Sequence, residues 1–361
     1  TTFLTGFPGF LSRHLIARLA EKEPETEFVF LIQAPLRKKA EEALDEQEDA
    51  TPGFRERAHL IAGDITAGPE LGLSPEDLEL AQKAHEVWHF AAIYDLSVDR
   101  SVAYRVNVVG TNNVLDLCET AEGLRRLLYV STCYVAGLRR GRIFESELDE
   151  GQGFKNHYEA TKCWAEMEVR RRRDRIPTTI LRPGIVVGDS RTGETDKYDG
   201  PYYLIRGLLR LPACIPIPYL GEGQAPVNLV PVDFTMDAMV ELAAQPNALG
   251  KTFQLADPNP HTAREILEAM VPLTGHRIIP AQVPQGLVRA LAGVRPVEEL
   301  LEIPRETLIY FDHDALYDTT NTDKHLEGTS LACPDLMSYL PVLIEYVRSH
   351  PQKGFLDGRK F

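Results

Sequence analysis

Cysteine is scarce in this chain. Only five of its 361 residues are cysteines, namely Cys118, Cys133, Cys163, Cys214 and Cys333, and no two of them form a CxxC pair. The odd count and the wide spacing argue against a disulfide framework and against a zinc site. We therefore expect no metal and reduced thiols, as in a cytoplasmic protein.

Long apolar runs and an excess of basic residues are also missing. The sequence contains no stretch of about 18 apolar residues that would predict a membrane-spanning helix, and no apolar signal core precedes Phe3-Leu4-Thr5. Lysine and arginine number 39 against 53 aspartates and glutamates, which gives a formal net charge of −14. Because an acidic surface repels nucleic-acid phosphates, we do not expect nucleic acid as a partner.

Strand-like and helix-like segments alternate through the first half of the chain. Apolar runs predict strands at Phe3–Thr5, Phe28–Ile32, His59–Ala62, Val87–Ala91, Leu127–Ser131 and Thr178–Leu181. Helical spacing is found between them at 9–22, Leu36–Asp49, Val106–Thr120 and Tyr158–Arg173. This order predicts an α/β fold of the Rossmann type, a doubly wound parallel sheet that binds ligands beyond the carboxyl ends of its strands.

The texture of the sequence changes after Arg182. Residues 183–226 are rich in glycine, proline and tyrosine, and a strand and helix pattern returns over 227–256. We expect residues 1–187 and 227–256 to form a Rossmann-type domain with the main sheet. Residues 188–226 and 257–361 then form a smaller, mixed α/β substrate-binding part.

A glycine-containing turn joins the first strand to the first helix, with the sequence Thr5-Gly6-Phe7-Pro8-Gly9-Phe10-Leu11-Ser12. Gly6 permits a tight turn, and Gly9 lets the backbone approach a pyrophosphate at the helix N-terminus. The turn therefore predicts a dinucleotide site. Two further pairs are expected to line it, Asp64-Ile65 after strand three and Ala91-Ala92 after strand four.

The end of strand two bears on the choice of dinucleotide. An acidic residue there would bind the ribose 2′-hydroxyl and repel a 2′-phosphate. The sequence instead has Gln33, followed by the cations Arg37, Lys38 and Lys39. NADPH is therefore the predicted cofactor, and Gln33 and Arg37 are candidates for its site.

A tyrosine and a lysine four residues apart begin the helix predicted after strand five. The spacing places Tyr158 and Lys162 on one helix face. An ammonium group near a phenol stabilises the phenolate, so Tyr158 can deliver a proton to an oxygen that receives charge during hydride transfer. Strand five ends in Ser131-Thr132, whose side chains point to opposite sides because of strand alternation. The position relative to Gly137 favours Thr132 as the hydroxyl that binds the substrate oxygen.

These motifs together resemble the extended short-chain dehydrogenase/reductases over residues 1–256. The resemblance implies that Lys162 also binds the nicotinamide ribose, and that Arg182-Pro183-Gly184-Ile185-Val186-Val187-Gly188 passes the nicotinamide carboxamide. It thereby adds Pro183, Gly184, Ile185 and Val186 to the cofactor site. Asn107 matches a structural asparagine of the family, whereas His89 in strand four has no motif of its own.

Within that superfamily, 192–203, 228–234 and 317–319 are similar to the N-terminal half of bacterial alcohol-forming fatty acyl reductases. The likeness implies NADPH-dependent reduction of a long-chain fatty aldehyde or of an acyl-CoA or acyl-carrier-protein thioester. Tyr202, Tyr203, Leu204 and Leu208 are candidates to line an alkyl tunnel or to touch a membrane surface. The same residues fit an ordinary core helix equally well. Pro284–Pro296 is a second candidate wall, and the superfamily implies a homodimer through the helix at 107–120.

Several alternatives remain open at this point. The net charge favours an aldehyde over a polyanionic thioester, unless Arg139, Arg140 and Arg142 form a local basic patch, and we expect the run Arg170–Arg173 to be a solvated face. A sugar-nucleotide epimerase or dehydratase, or a hydroxysteroid-type dehydrogenase, would share the three catalytic residues. A non-catalytic NADPH-sensing protein would share only the phosphate loop.

Overall fold

A computed structural model describes residues 1–95, 98–196, 198–283 and 313–351. Seven parallel strands form the main sheet, and each coincides with an apolar run of the sequence. They are β1 (Thr2–Thr5), β2 (Phe28–Ile32), β3 (Ala58–Ala62), β4 (Glu86–His89), β5 (Arg126–Val130), β7 (Thr178–Pro183) and β11 (Thr252–Leu255). Their order across the sheet is β3-β2-β1-β4-β5-β7-β11. The predicted Rossmann-type fold is confirmed, with the strand order reversing between β1 and β4.

Helices cover both faces of this sheet because successive strand residues point to opposite sides. Leu4 and Trp88 pack on one face with α1 (Phe10–Lys22), α2 (Arg37–Ala50) and α8 (Val232–Ala244). Phe3 and Val87 pack on the other with α3 (Pro75–Gln82), α5 (Gly110–Thr120) and α6 (His157–Arg171). The sheet is thus buried on both sides, and polar side chains gather at the carboxyl ends of the strands.

The helix predicted at Val106–Thr120 is longer and less regular than expected. It begins as α4 (Arg100–Ala103), passes through a π-helical turn at Tyr104–Val109 and continues as α5. Asn107 lies within the π turn, where its side chain bonds to backbone groups of Ile93 and to Thr161. The wider turn explains why a regular 3.6-residue period misses the first part of this helix.

The remaining elements are short strand pairs and helices. The pairs are β6 (Gly141–Ile143) with β13 (Ala315–Tyr317), β8 (Ile185–Val187) with β10 (Leu229–Pro231), and β9 (Ile217–Leu220) with β12 (Ile278–Val283). Helices α7 (Pro201–Arg210), α9 (Ala263–Leu273) and α11 (Leu336–Ser349) share one apolar core, and α10 (Thr320–Leu326) lies beside β11.

The structure corrects one expectation about the segment 227–256. We expected all of it to return to the main sheet, but β10 pairs with β8 in a separate two-stranded sheet, and only β11 joins the seven strands. The boundaries of the two-part division stay a prediction. The candidate wall at Pro284–Pro296 lies outside the described residues.

Candidate active site

The phosphate loop lies where β1 ends, beside the reversal of strand order. Gly6 has a φ of 89°, and a Cβ added to it would lie 2.7 Å from the backbone nitrogen of Ala91. Only glycine fits such a close approach of two chain segments. The Ser12 hydroxyl lies 3.0 and 2.9 Å from the carbonyl oxygens of Gly6 and Gly9 and shares its one proton between them, so serine at the third small position stabilises the turn.

The start of α1 suits an anion. Its N-cap is Gly9, and within the described residues no side chain caps this end of the helix. The N–H groups of the first turn therefore remain available to a pyrophosphate, which the helix dipole also favours. The glycine cradle and the uncapped helix fit a dinucleotide.

The other residues predicted for the loop have mixed surroundings. Thr5 is fully buried at the end of β1, and its hydroxyl bonds to Nδ1 of His89 at 2.7 Å, which fixes the start of the loop. Phe7 is buried against Phe30 with ring centroids 4.4 Å apart. Phe10 and Leu11 are half-buried at the first turn of α1.

The residues predicted for the adenosine half lie at the ends of β2 and β3. Gln33 is exposed, and its amide donates to Asp64 at 2.9 Å, while Arg37 pairs with Glu41 on the same helix. Ile65 is buried against Gly110, and a Cβ added to this glycine would lie 2.6 Å from the Ile65 side chain. Gln33 and Asp64 thus lie together at the carboxyl ends of β2 and β3. No acidic residue ends β2 itself.

Two further segments border the loop. Ala91 is half-buried and Ala92 exposed, and the Ala91 N–H donates to the Thr5 hydroxyl at 3.2 Å. Pro183 and Gly184 are buried at the end of β7, with Ile185 and Val186 half-buried behind them. A Cβ on Gly184 would lie 2.7 Å from the Asn228 amide oxygen, so this segment also needs glycine to pass its neighbour.

The helix α6 carries the predicted tyrosine and lysine. Asn156 caps it by accepting from the Glu159 N–H at 2.9 Å, which starts the helix one residue before Tyr158. Tyr158 is half-buried and hydrogen-bonds the Thr132 side chain, which opposes the strong rise in the pKa of Tyr158 caused by burial. The phenol is therefore protonated at neutral pH and ready to donate.

Lys162 lies one turn further along the same face. Its ammonium donates to the Val130 carbonyl at 2.7 Å and lies 4.6 Å from the centroid of the Tyr129 ring. Burial lowers the pKa of Lys162 to about 8, although the Glu166 carboxylate opposes that shift. The structure thus brings Thr132, Tyr158 and Lys162 together at the end of β5.

The two hydroxyls at the end of β5 have different partners. Ser131 donates to the Glu166 carboxylate at 2.6 Å, under the helix, whereas the Thr132 hydroxyl accepts from the Tyr134 N–H at 3.2 Å and lies beside the Tyr158 phenol. Strand alternation produces this separation. Thr132 is the hydroxyl that lies beside the phenol.

Glu166 is a buried residue that the sequence reasoning missed. It is 0% exposed and forms a two-point ion pair with Arg182, at 2.6 and 3.0 Å, besides contacts with Ser131 and Arg170. Its spacing of four residues from Lys162 was the available signal. The Arg182 guanidinium helps to hold the pKa of Glu166 below its usual range, although burial opposes this. A carboxylate charge is thus maintained one turn from Lys162.

A second tyrosine packs against Tyr158. Tyr94 is 45% exposed and contacts Tyr158 edge-on, with ring centroids 5.1 Å apart. Tyr134 and Tyr203 are electrostatic neighbours of Tyr94. Because this group has both polar hydroxyls and apolar ring faces, it can accept a substrate with a carbonyl end and an apolar body.

The four candidates on α7 divide into two pairs. Tyr202 and Leu208 are 1% and 3% exposed in the core of the smaller part, and the Tyr202 hydroxyl accepts from the Gly188 N–H at 2.8 Å. Packing accounts for both. Tyr203 and Leu204 are only half-buried, which leaves them as the pair able to meet a ligand.

The arginine runs differ from what the sequence predicted. Arg170 and Arg172 are not simply solvated, because Arg170 pairs with buried Glu166 and Arg172 is 11% exposed in an ion pair with Asp116. The expected solvated face was therefore wrong for these two residues.

The candidate basic patch after β5 is largely neutralised. Arg139 pairs with Glu147 at 2.7 Å, and Arg142 pairs with Asp318 at 2.5 Å. Arg140 is exposed. The patch therefore offers a polyanion less positive charge than its sequence suggests.

Comparison with known proteins identifies a family that matches this chain. The family model described as Male sterility protein, an NAD-binding family, matches residues 4–239. The chain belongs to this family. The match confirms the resemblance found in the sequence and gives the chain a nicotinamide dinucleotide as its class of cofactor.

Two relatives indicate the range of this family. The fatty acyl-CoA reductase wat of Drosophila melanogaster is 27% identical over 287 residues, which are 67% of this chain and 53% of that protein. The large subunit of an L-2-aminoadipate reductase of Penicillium chrysogenum is 31% identical over 272 residues, which are 69% of this chain and 19% of that protein. The chain spans about half of the first relative and less of the second.

Solved structures show the same fold. The terminal R domain from the myxalamid PKS-NRPS biosynthetic pathway superimposes with a TM-score of 0.83 at 25% identity, over 97% of this chain and 90% of that one. A UDP-glucuronic acid 4-epimerase from Bacillus cereus in complex with NAD gives 0.67 at 19% identity, over 99% of both chains, and shows the fold alone. Every helix in the part of the chain described here is too short or too polar to cross a membrane.

Proposed function

We propose that this protein is an NADPH-dependent reductase of long-chain acyl thioesters or of the corresponding fatty aldehydes. The observation that carries the proposal is the group formed by Thr132, Tyr158 and Lys162 at the carboxyl end of β5, beside a glycine cradle for a dinucleotide. The likeness to a fatty acyl-CoA reductase supports a thioester as the first substrate to test.

In this reaction the reduced nicotinamide supplies a hydride to the carbonyl carbon. The Thr132 and Tyr158 hydroxyls hydrogen-bond the carbonyl oxygen as it gains negative charge. With an aldehyde, the Tyr158 proton moves to this oxygen and gives the alcohol, while charged Lys162 stabilises the phenolate left behind. With a thioester, the carbon–sulfur bond of the tetrahedral adduct breaks, the thiolate takes up a proton, and an aldehyde and a thiol result.

The preference for NADPH rests on the end of β2. Gln33 provides no negative charge there, and the Arg37 and Lys38 side chains are 54% and 90% exposed at the start of α2. Each of these two cations pairs with a glutamate of α2, so a 2′-phosphate would compete with those carboxylates for them, while it would meet no carboxylate on β2 itself. The long acyl chain is supported by half-buried Tyr203 and Leu204.

The proposal is tested by following NADPH oxidation with palmitoyl-CoA in one reaction and hexadecanal in another, with released thiol measured in the first. Equal molar loss of NADPH and gain of thiol identifies a thioester reductase, and turnover with hexadecanal alone identifies an aldehyde reductase. No turnover with either would refute the fatty-substrate proposal.

Tyr158→Phe is the variant that tests the chemistry, with Tyr104→Phe as the matched control on an exposed face. We expect Tyr158→Phe to lose at least about a hundredfold in kcat, since general acid catalysis contributes about that much or more. NADPH binding should remain. A fully active Tyr158→Phe would contradict the assigned proton donor.

A further inference from the structure

His89 is a buried histidine that the proposed reaction does not use. It ends β4 and is 2% exposed, between the phosphate loop and the helix α5. Both ring nitrogens have partners, the Thr5 hydroxyl at 2.7 Å from Nδ1 and the Thr111 hydroxyl at 3.0 Å from Nε2. The ring therefore bridges two elements that contribute to the site.

The proton positions in this bridge follow from the partners. The single hydroxyl proton of Thr111 is donated to the Asn107 carbonyl at 2.6 Å. The Thr111 oxygen must then accept from His89, so Nε2 carries the ring proton. Nδ1 is left as an acceptor for the Thr5 hydroxyl, whose oxygen in turn accepts from the Ala91 N–H at 3.2 Å.

The surroundings also keep the ring neutral. Burial, together with the nearby Lys162 ammonium, lowers the pKa of His89 to about 3. A second proton on the ring would place an imidazolium in a buried site near another cation. One tautomer of the neutral ring thus satisfies every group in the bridge.

The bridge continues to the catalytic helix. The Asn107 amide donates to the Thr161 hydroxyl at 3.0 Å, and that hydroxyl donates to the His157 carbonyl at 2.7 Å. Thr161 is the residue before Lys162. A chain of buried hydrogen bonds therefore runs from Thr5 under the phosphate loop to the first turn of α6.

We propose that His89 is a positioning residue that, as the neutral Nε2–H tautomer, holds the phosphate loop in register with the helix of Asn107 and thereby supports NADPH binding. The inference rests on the proposed function for the identity of the dinucleotide. Its test needs no substrate, so a failure of the reductase proposal would leave the result interpretable.

The variant His89→Phe keeps a ring of similar size beside Tyr129 but removes both hydrogen bonds. The control is His325→Phe, because His325 is also buried with both nitrogens bonded, to the Asn321 carbonyl and to Lys251, beside α8 and β11. Both variants should lower the Tm. Only His89→Phe should raise the dissociation constant for NADPH, by about tenfold, as expected from a displaced buried hydrogen-bond pair.

A conservative variant and a spectrum complete the test. His89→Gln retains one acceptor and one donor, and should bind NADPH within about threefold of the unsubstituted protein. In the nitrogen-15 NMR spectrum, His89 should show the neutral Nε2–H form without titration from pH 5 to pH 8. Normal NADPH affinity in a folded His89→Phe, or an Nδ1–H or titrating His89, would overturn the proposal.

Discussion

Replacing Glu166 by glutamine tests how the buried ion pair acts on Lys162. The substitution keeps the shape of the side chain but removes its negative charge, which now opposes the effect of burial on the Lys162 pKa. Side chains four residues apart on a helix lie about 6 Å from each other, where two unit charges interact by about 3 kcal/mol at an effective dielectric constant of 20. Arg182, bonded to the same carboxylate, offsets part of this interaction.

We therefore expect the Lys162 pKa to fall by about one unit in Glu166→Gln, from about 8 towards about 7. The direction of the pH effect follows from the protonation state in which Lys162 is active. Lys162 acts when protonated, so the rate of reduction holds below its pKa and falls as the pH rises through it. The assay is kcat/KM for reduction between pH 5.5 and 9.5, in which the alkaline limb should move to lower pH.

Ser131→Ala is the control for this experiment. It removes a hydrogen bond to Glu166 but leaves the charge, so the alkaline limb should stay in place. A folded Glu166→Gln with an unchanged alkaline limb would refute the electrostatic coupling. Because Arg182 is then a buried charge without its partner, folding is checked by circular dichroism. If the single variant does not fold, Glu166→Gln with Arg182→Gln removes both charges and should move the limb less.

Four other substitutions, one of them a matched control, test separate parts of the molecule. Gln33→Asp should weaken NADPH binding by at least about tenfold and strengthen NADH binding, measured as dissociation constants, since a carboxylate there repels the 2′-phosphate. Gly137→Ala should lower the free energy of unfolding by more than about 2 kcal/mol, because its Cβ would lie 2.2 Å from the Gly153 carbonyl oxygen at a φ of 60°. The control is Gly141→Ala, which has a φ of 74° but open space around it and should lower the free energy of unfolding by only about 1 kcal/mol. Leu208→Ala should cost about 2–4 kcal/mol in denaturant unfolding and leave the KM for the acyl substrate unchanged, since a core leucine leaves a cavity; a raised KM in a stable variant would instead make Leu208 part of the pocket.

Much of the fold could be predicted because the strands of a parallel sheet are buried on both faces. Such strands appear as continuous apolar runs, as at Phe28–Ile32, which the structure has as β2. The π-helical turn around Asn107 was not predictable in this way, because it breaks the helical period. The pairing of Leu229–Pro231 with Ile185–Val187 depends on two segments far apart in the chain, which local patterns do not reveal.

The candidate site likewise contains some residues that local sequence patterns predict and others that they do not. Tyr158 and Lys162 are four residues apart, and helix geometry alone places them on one face. The choice of Thr132 over Ser131 needed strand alternation together with the position relative to Gly137. Glu166 and His89 were missed because their importance lies in partners that are distant in sequence, Arg182 and Thr5. Likewise, no pattern in the sequence separated buried Tyr202 from half-buried Tyr203.

The helix α6 presents Tyr158, Lys162, Glu166 and Arg170 towards the sheet at intervals of four residues, and all four are tied to strands or loops around it. Each residue of an α-helix turns the chain by about 100°, so inserting or deleting one residue after Lys162 would swing Glu166 and Arg170 away from their partners. This stretch can therefore exchange residues on its outer face during evolution, but it cannot change in length. Among relatives, insertions and deletions should fall before Asn156 or after Arg171.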